Sequence, residues 1–178
     1  MKLHPVTAAS AYFSDICQLY ESAFPPDERR DLERQKALFA RSEYRLFAAV
    51  DGGELVGLLS LWEFSDFVFM EHLAVDEKLR GKGIGTFIMN EYMKACGKRI
   101  LLEVEPPRTR VQKKRVAFYQ KLGFVLNPYP YIQPPYGPEK NPVPMFIMSH
   151  PAALDESGFS DARRKIHAVV YGLKKPLE

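Results

Sequence analysis

The sequence predicts a mixed α/β fold in which helices cover both faces of a mostly antiparallel sheet. Three observations predict it. The hydrophobic period changes from helical to strand-like near residue 44. The segment Asp51-Gly-Gly-Glu54 is a strong hairpin signal. A glycine-rich turn then opens an amphipathic helix at residue 83. A chain of 178 residues suits one domain, and we expect a core over 1–150 and a C-terminal helical extension over 151–178.

One strand and two helices are expected before the hairpin. Pro5 places the strand Met1–Val6 at a sheet edge, because proline cannot donate a ladder hydrogen bond. An apolar stripe predicts a helix over Thr7–Phe24, which Pro25 ends. A second, more charged helix is expected over Asp31–Arg41.

Strands and helices alternate in the rest of the chain. They are predicted at Tyr44–Val50, Leu55–Trp62, Phe67–Val75, Gly83–Ala95, Ile100–Val104, Val111–Leu122, Phe124–Leu126 and Pro144–Ser149, with a last helix from Ser160. Gly97 is expected to cap the helix before it. Residues 127–144 hold seven prolines, so we expect a stiff loop outside the core.

Composition excludes several classes of function. A net charge of +3 is too small to indicate a nucleic-acid partner. No apolar run is long enough to span a membrane, and we expect a cytoplasmic protein, as a monomer or a homodimer, without a metal. Cys17 and Cys96 are too few for a disulfide framework and are expected to be reduced, buried thiols.

The turn Arg80-Gly-Lys-Gly-Ile-Gly85 carries the clearest chemistry. The first amides of a helix lack internal acceptors and the helix dipole makes that end positive, so glycines there let an anion approach the backbone. With Lys78 and Lys82 nearby, the turn suits a pyrophosphate. The spacing fits neither a P-loop nor a dinucleotide fingerprint. The alternative is a tight turn with its basic residues in solvent.

Three motifs together resemble the GCN5-related N-acetyltransferase (GNAT) superfamily. They are Leu73-Ala74-Val75, Arg80-x-x-Gly83-x-Gly85 and Phe118-Tyr119-Gln-Lys-Leu-Gly123-Phe124, within a similarity that runs from Tyr44 to Ser149. The resemblance implies transfer of the acetyl group of acetyl-CoA to a primary amine of a small molecule or peptide, by direct attack in a ternary complex. It also implies a sheet of six to seven strands with a cofactor cleft between a splayed fourth and fifth strand.

The resemblance assigns the cofactor site residue by residue. The backbone of the strand before the turn pairs with the pantetheine arm, and the amides of the turn bind the pyrophosphate. The residues concerned are Leu73, Ala74, Val75, Arg80, Gly81, Lys82, Gly83, Ile84, Gly85, Thr86, Gln112, Arg115 and Tyr119. Many members carry Asn and Ala where Gln112 and Arg115 stand. Gln112 is still able to donate to the pantetheine, and the basic cluster around Arg115 suits the 3′-phosphate, although a solvated helix face explains the same charges.

Two residues are expected to act in catalysis. Tyr119 matches the tyrosine that protonates the departing CoA thiolate. Glu71 is the candidate general base, and its apolar neighbours predict a raised pKa. Strand alternation directs His72 to the opposite face unless a bulge intervenes. Glu103 and Glu105 compete with Glu71 for the role of base.

The acceptor site is the least specified part of the prediction. Trp62, Glu71, Tyr131 and Tyr136 are expected to line it, since aromatic rings and an acid suit a cationic amine. Two other functions stay open. One is a CoA-binding sensor or partner domain without activity, and the other is an interaction module using Pro134-Pro135-Tyr-Gly-Pro138 as a polyproline ligand.

Overall fold

The computed structural model describes residues 1–177, which form two compact units, the first over residues 1–98 and the second from Arg99 onward. Within each unit the strands pair antiparallel, and helices accompany them. The predicted mixed α/β class is therefore confirmed. The described residues contain eight strands, where six to seven are predicted. The assignment of the whole chain to one domain with a core over 1–150 stays a prediction.

The first unit contains four strands and three α-helices. They are β1 (Lys2–Pro5), α1 (Phe13–Ala23), α2 (Leu32–Ala37), β2 (Tyr44–Asp51), β3 (Glu54–Glu63), β4 (Phe67–Val75) and α3 (Ile84–Ala95). The strands lie in the order β1-β2-β3-β4, so β1 lies at the edge that Pro5 predicts. The β2–β3 hairpin turns at Gly52 and Gly53, which have φ of +58° and +93°. Residues that carry a side chain rarely adopt these backbone angles, so the turn requires its two glycines. The hairpin prediction is confirmed.

Helix ends in this unit differ from the prediction where local hydrogen bonds compete. The first helix begins at Phe13 because Thr7 and Ser10 form a separate turn, in which the Thr7 amide donates to the Ser10 hydroxyl over 2.9 Å. Its other end agrees with the prediction, because Phe24, the residue before Pro25, is extended and the helix ends at Ala23. Gly97 does not cap α3, and that prediction is wrong. Cys96 ends the helix in an extended conformation, with its amide bonded to carbonyls of the last turn.

Helices lie on both faces of the strands of the first unit. His72 and its partner Ser60 face α1, where the His72 ring lies 4.9 Å from the ring of Tyr20. Gly57 lies three residues from Ser60 along β3 and so faces the other side, where a Cβ would meet the Ile88 side chain of α3 at 2.8 Å. The core between them contains fully buried leucines at 58, 59 and 61.

The second unit is built around one long strand. Its elements are β5 (Arg99–Val104), α4 (Arg110–Lys121), β6 (Val125–Leu126), β7 (Tyr131–Gln133), β8 (Val143–His150) and α5 (Glu156–Val169). β8 pairs with β5, β6 and β7. The turn after α4 follows the prediction, with Gly123 at φ +87°. α5 begins earlier than the predicted Ser160, because the Asp155 carboxylate accepts the Gly158 amide and caps the helix there.

The proline-rich segment 127–144 is not a loop outside the core, and that prediction is wrong. A proline-free stretch within it forms β7, and Tyr131 and Tyr136 are buried. Asn127 is fully buried, and its side chain binds the Ile147 carbonyl and the Leu154 amide. Because Tyr136 is buried, the stretch 134–138 does not present the exposed side chains that a polyproline ligand needs.

The remaining expectations concern cysteines, metals and membranes. Cys17 and Cys96 are free thiols, as predicted, but both are partly exposed instead of buried. Among residues 1–177, no group of three or more His, Cys, Asp or Glu side chains is placed to hold a metal ion. None of the helices described is both long enough and apolar enough to cross a membrane.

Candidate active site

The loop that joins β4 to α3 presents its backbone to open space. Gly81 and Gly83 both have φ of +82°, a conformation that favours glycine. A Cβ at either position would meet no atom within 4 Å. Gly83 is also the N-cap residue of α3, and no side chain caps the helix there. A ligand therefore has direct access to the main chain of the loop.

The amides at the start of α3 are not used by the chain itself. The first helical hydrogen bond runs from the Phe87 amide to the Gly83 carbonyl over 2.9 Å, which leaves the amides of residues 84–86 without helical acceptors. Unpaired amides and the positive end of the helix dipole attract an anion. Three exposed basic side chains surround the loop: Lys78, Arg80 and Lys82. The geometry suits the predicted pyrophosphate.

Gly57 sets the position of α3, and with it the position of these amides. A Cβ at Gly57 would lie 2.7 Å from the Ala74 carbonyl oxygen and 2.8 Å from the Ile88 side chain. A larger residue would displace one of these neighbours. The absence of a side chain in β3 thus brings α3 close to the strands.

β4 carries a bulge at Glu71. Ser60 pairs with His72 and Leu61 with Met70, so Glu71 is an extra residue with no partner across the ladder. The bulge turns the carboxylate to the same face as His72, with Oε2 3.6 Å from His72 Nδ1. The alternation that separates these two side chains in a regular strand is therefore broken here.

Glu71 is held by two donors on the α1 face. The Arg30 guanidinium donates to Oε1 over 2.5 Å, and the Trp62 indole N–H donates to Oε2 over 3.0 Å. The Glu71 side chain has 0% of its surface exposed and that of Arg30 has 6%. His72 adds a tie of its own, because its Nε2–H donates to the Glu28 carbonyl over 3.0 Å. Together these bonds fix the segment between α1 and α2 to the sheet.

The expected raised pKa of Glu71 is wrong. Burial does act to raise it, but the Arg30 charge and the contacts with His72 outweigh burial and lower the pKa to about 2. A carboxylate with this pKa is a weak proton acceptor at neutral pH. Its position favours anchoring over general-base catalysis.

Trp62 does not line an accessible site. Its side chain is fully buried and packs edge to face against Tyr44, with ring centroids 5.3 Å apart. Its N–H donates to Glu71. The contact of Trp62 with an acceptor stays a prediction, and the burial of its side chain does not favour it. Arg30 is the residue that the sequence did not indicate, since nothing in its spacing links it to a carboxylate 41 residues away.

The main chain of β4 is accessible at Glu71, where the side chain is not. Glu71 as a whole is partly exposed although its side chain is not, so its exposed surface is main chain. Leu73 and Val75 are also partly exposed, whereas Ala74 is buried. Backbone pairing with a pantetheine arm along this strand remains the prediction, and the accessible main chain favours it.

Tyr119 lies on α4 in the second unit, with its ring buried and its hydroxyl unpaired. The ring packs edge-on against Phe124 at 5.7 Å and the residue is 9% exposed. Its hydroxyl forms no hydrogen bond within residues 1–177, and the oxygen itself is not fully buried, so it reaches solvent. Burial raises the pKa of Tyr119 to about 12. The phenol is therefore protonated at neutral pH.

The two α4 residues that depart from the family pattern already have partners. Gln112 completes a capping box with Thr109: its side-chain oxygen accepts the Thr109 amide over 2.8 Å. Its NH₂ group stays able to donate to a pantetheine. Arg115 forms an ion pair with Glu105, which reduces its charge toward a phosphate and occupies one of the competing bases.

Glu103, the other competing base, lies among tyrosines. The Tyr131 hydroxyl donates to Oε1, and the Tyr171 hydroxyl lies 2.9 Å from Oε2. The Tyr136 hydroxyl lies 3.2 Å from that of Tyr171. The structure thus brings the two predicted acceptor tyrosines together around a carboxylate. The sequence gives no signal for Tyr171, which follows the last helix.

Comparison with known proteins identifies the family. The family described as "Acetyltransferase (GNAT) family" matches residues 13–124. The chain therefore belongs to the GNAT family of acetyltransferases, and the superfamily resemblance is confirmed.

Similar proteins cover the chain to different extents. A solved structure from Bacteroides thetaiotaomicron, assigned to the GNAT family as an acetyltransferase, is 32% identical with a TM-score of 0.91 over 98% of this chain and 100% of that one. YjbC of Bacillus subtilis, assigned as an acetyltransferase, is 31% identical over 57% of this chain, and the match spans 52% of YjbC. A GNAT structure from Elizabethkingia anophelis with acetyl-CoA bound shares the fold at 17% identity, with a TM-score of 0.58 over 83% of this chain and 95% of that one.

Proposed function

We propose that the protein transfers the acetyl group of acetyl-CoA to a primary amine by direct attack in a ternary complex. The observation that carries the proposal is the loop 81–86, where Gly81 and Gly83 adjoin open space and the amides of residues 84–86 lack helical acceptors at the positive end of α3. Membership of the GNAT family supports acetyl-CoA as the ligand. The Elizabethkingia anophelis structure supports the capacity of the fold to hold it.

Groups of this chain bind and position acetyl-CoA in this proposal. The amides of residues 81–86 bind the pyrophosphate, and Lys78, Arg80 and Lys82 add positive charge around it. The main chain of β4, which is accessible at Glu71, pairs with the pantetheine amides along residues 71–75. The Gln112 NH₂ is a further donor to that arm.

The reaction itself needs a neutral amine and a stabilised leaving group. The amine nitrogen attacks the thioester carbonyl carbon, a C–N bond forms, the C–S bond breaks and CoA leaves as a thiolate. Tyr119 donates to that sulfur. With a pKa of about 12 the phenol carries its proton at neutral pH. Because a thiol titrates near ~8.5, the phenol stabilises the thiolate by a hydrogen bond and keeps its own proton. The proton of the amine passes to water.

Glu71 acts in this proposal as a positioning residue. Its ion pair with Arg30 holds the segment after α1 in place, and a Glu71→Gln variant separates anchoring from catalysis. If Glu71 is an anchor, the variant loses stability but keeps most of its turnover, and its pH profile is unchanged. If Glu71 is the general base, the turnover of the variant falls at least ~100-fold.

A CoA-binding protein without transferase activity is the second candidate. One observation favours it: the carboxylate at the position of the family's base is buried and ion-paired. It would bind acetyl-CoA at the same loop and release no thiol.

Thiol release from acetyl-CoA, measured with a panel of amines, peptides and aminoglycosides, distinguishes the two candidates. The proposed activity gives amine-dependent release with one N-acetylated product for each CoA, identified by mass spectrometry. Saturable acetyl-CoA binding without release, across the whole panel, supports the inactive candidate instead.

A further inference from the structure

The Glu103 carboxylate and the tyrosines around it form a polar site that the transfer mechanism does not use. We propose that Glu103, Tyr131 and Tyr136 bind an organic ammonium group, and that the Tyr171 hydroxyl occupies the position of that group until it arrives. The inference rests on the proposed function, because the ammonium is a cationic group of the acceptor.

The position of the Tyr171 hydroxyl identifies the ligand class. Its oxygen lies 3.1 Å from Oε1 and 2.9 Å from Oε2 of Glu103, so it bridges both carboxylate oxygens. A hydroxyl has one proton and donates a hydrogen bond to only one of these oxygens at a time. An ammonium has several N–H donors and is able to donate to both. Charge assistance makes the ammonium the stronger partner.

Aromatic rings form the walls of the site. The ring centroids of Tyr136 and Tyr171 lie 5.0 Å apart, and that of Tyr131 lies 5.2 Å from His167. The His167 ring adds no positive charge at neutral pH, because burial, and then the nearby Arg163, lower its pKa to about 4. Aromatic rings close to a carboxylate are a combination that favours an alkylammonium ion.

Tyr171 is the member of the cluster that can leave without disturbing the strands. Tyr131 and Tyr136 are 3% and 7% exposed, whereas Tyr171 is partly exposed. It follows the end of α5 at Val169 and precedes Gly172, which turns the chain at φ +71°. Its displacement breaks no strand pairing, because the segment after α5 contains no strand among the described residues.

Titration with butylammonium chloride, against 1-butanol as the neutral probe of equal shape, tests the site. Binding is followed by the backbone amide NMR signals of the full chain. We expect saturable shifts on β5 and at the end of α5 with butylammonium alone. Glu103→Gln, which keeps an oxygen to accept from the tyrosines, weakens binding at least ~10-fold because it removes the charge. Tyr171→Phe removes the competing hydroxyl and tightens binding.

If the cluster only stabilises the fold, Tyr171→Phe does not increase the affinity for butylammonium. An increase therefore distinguishes a binding site from a structural contact. Tyr129→Phe is the matched control, since its ring packs on Phe159 at 4.9 Å within the same unit and its substitution leaves the affinity unchanged. The proposal is overturned if butylammonium gives no saturable shifts, or if Glu103→Gln and Tyr171→Phe leave its affinity at the wild-type value.

This titration needs no acetyl-CoA, so it separates the two proposals. Ammonium binding that depends on Glu103, in a protein that releases no thiol with any amine, overturns the proposed function and keeps the site. Acetyl transfer with ammonium affinity independent of Glu103 overturns the site alone.

Discussion

Loss of the Arg30 charge is expected to destabilise the protein by several kcal/mol. The Glu71 pKa falls from its ordinary value of 4.5 to about 2 in the folded state. At ~1.4 kcal/mol per unit, the shift corresponds to about 3 kcal/mol of stability. Because the pKa is lowered, this contribution is complete above pH 4.5 and is lost as the pH falls toward 2. Arg30→Met leaves a buried carboxylate without its main partner, which costs about 3–5 kcal/mol.

A double-mutant cycle measures the pair itself. Glu71→Gln keeps an acceptor for the Trp62 N–H but leaves the Arg30 charge buried, so we expect a loss similar to that of Arg30→Met. The double variant Arg30→Met/Glu71→Gln buries no unpaired charge and should lose less than the sum of the singles, by at least ~2 kcal/mol.

Urea unfolding at pH 7, followed by fluorescence, provides the assay. The chain has one tryptophan, Trp62, and its N–H contacts Glu71, so the probe reports from the pair. Arg45→Met is the control, because its ion pair with Glu63 is 43% and 39% exposed and is worth under ~1 kcal/mol. Single losses no larger than that of the control, or losses that simply add, would refute the account of Glu71 as a charge-paired anchor.

Further predictions concern Gly83 in the loop before α3, the hydrogen-bond donor Tyr119, and His167 in α5. Gly83→Ala strains a backbone with φ +82° and is expected to weaken acetyl-CoA binding at least ~10-fold by calorimetry, whereas Gly53→Ala, strained alike at φ +93°, should not. Tyr119→Phe should lower kcat about 100-fold with the acetyl-CoA Kd unchanged, while Tyr92→Phe leaves both unchanged; equal kcat in the two variants would exclude Tyr119 as the donor. The His167 pKa is lowered from 6.5 to about 4, so the unfolded state binds the extra proton and stability falls by about 2 kcal/mol from pH 7 to pH 5. His167→Gln should flatten that part of the urea-midpoint profile, and parallel profiles would contradict the assignment.

Features set by local sequence were predictable. The hairpin at Gly52–Gly53 and the loop at Gly81–Gly83 follow from glycine, because few other residues tolerate their positive φ. The start of α3 follows from the same loop. The Gly123 turn after α4 follows from glycine in the same way, whereas the role of Tyr119 stays a prediction from the family resemblance.

Features set by distant contacts were not predictable. The pKa of Glu71 depends on Arg30, which lies 41 residues away in sequence and reaches it only through the fold. The bulge that turns Glu71 toward His72 inserts one extra residue in β4, and the alternation of apolar residues does not show where that residue lies. Similarly, the prolines of 127–144 conceal β7, whose burial depends on β8 and the aromatic side chains of α5.

Amide NMR of the loop during titration with acetyl-CoA and with S-acetylpantetheine tests the anion site most directly. S-acetylpantetheine lacks the pyrophosphate. If the loop binds that group, acetyl-CoA shifts the amide signals of residues 81–86 strongly and saturably, and S-acetylpantetheine leaves them unchanged. Saturable acetyl-CoA binding with these six signals unmoved would contradict the assignment of the loop as the pyrophosphate site.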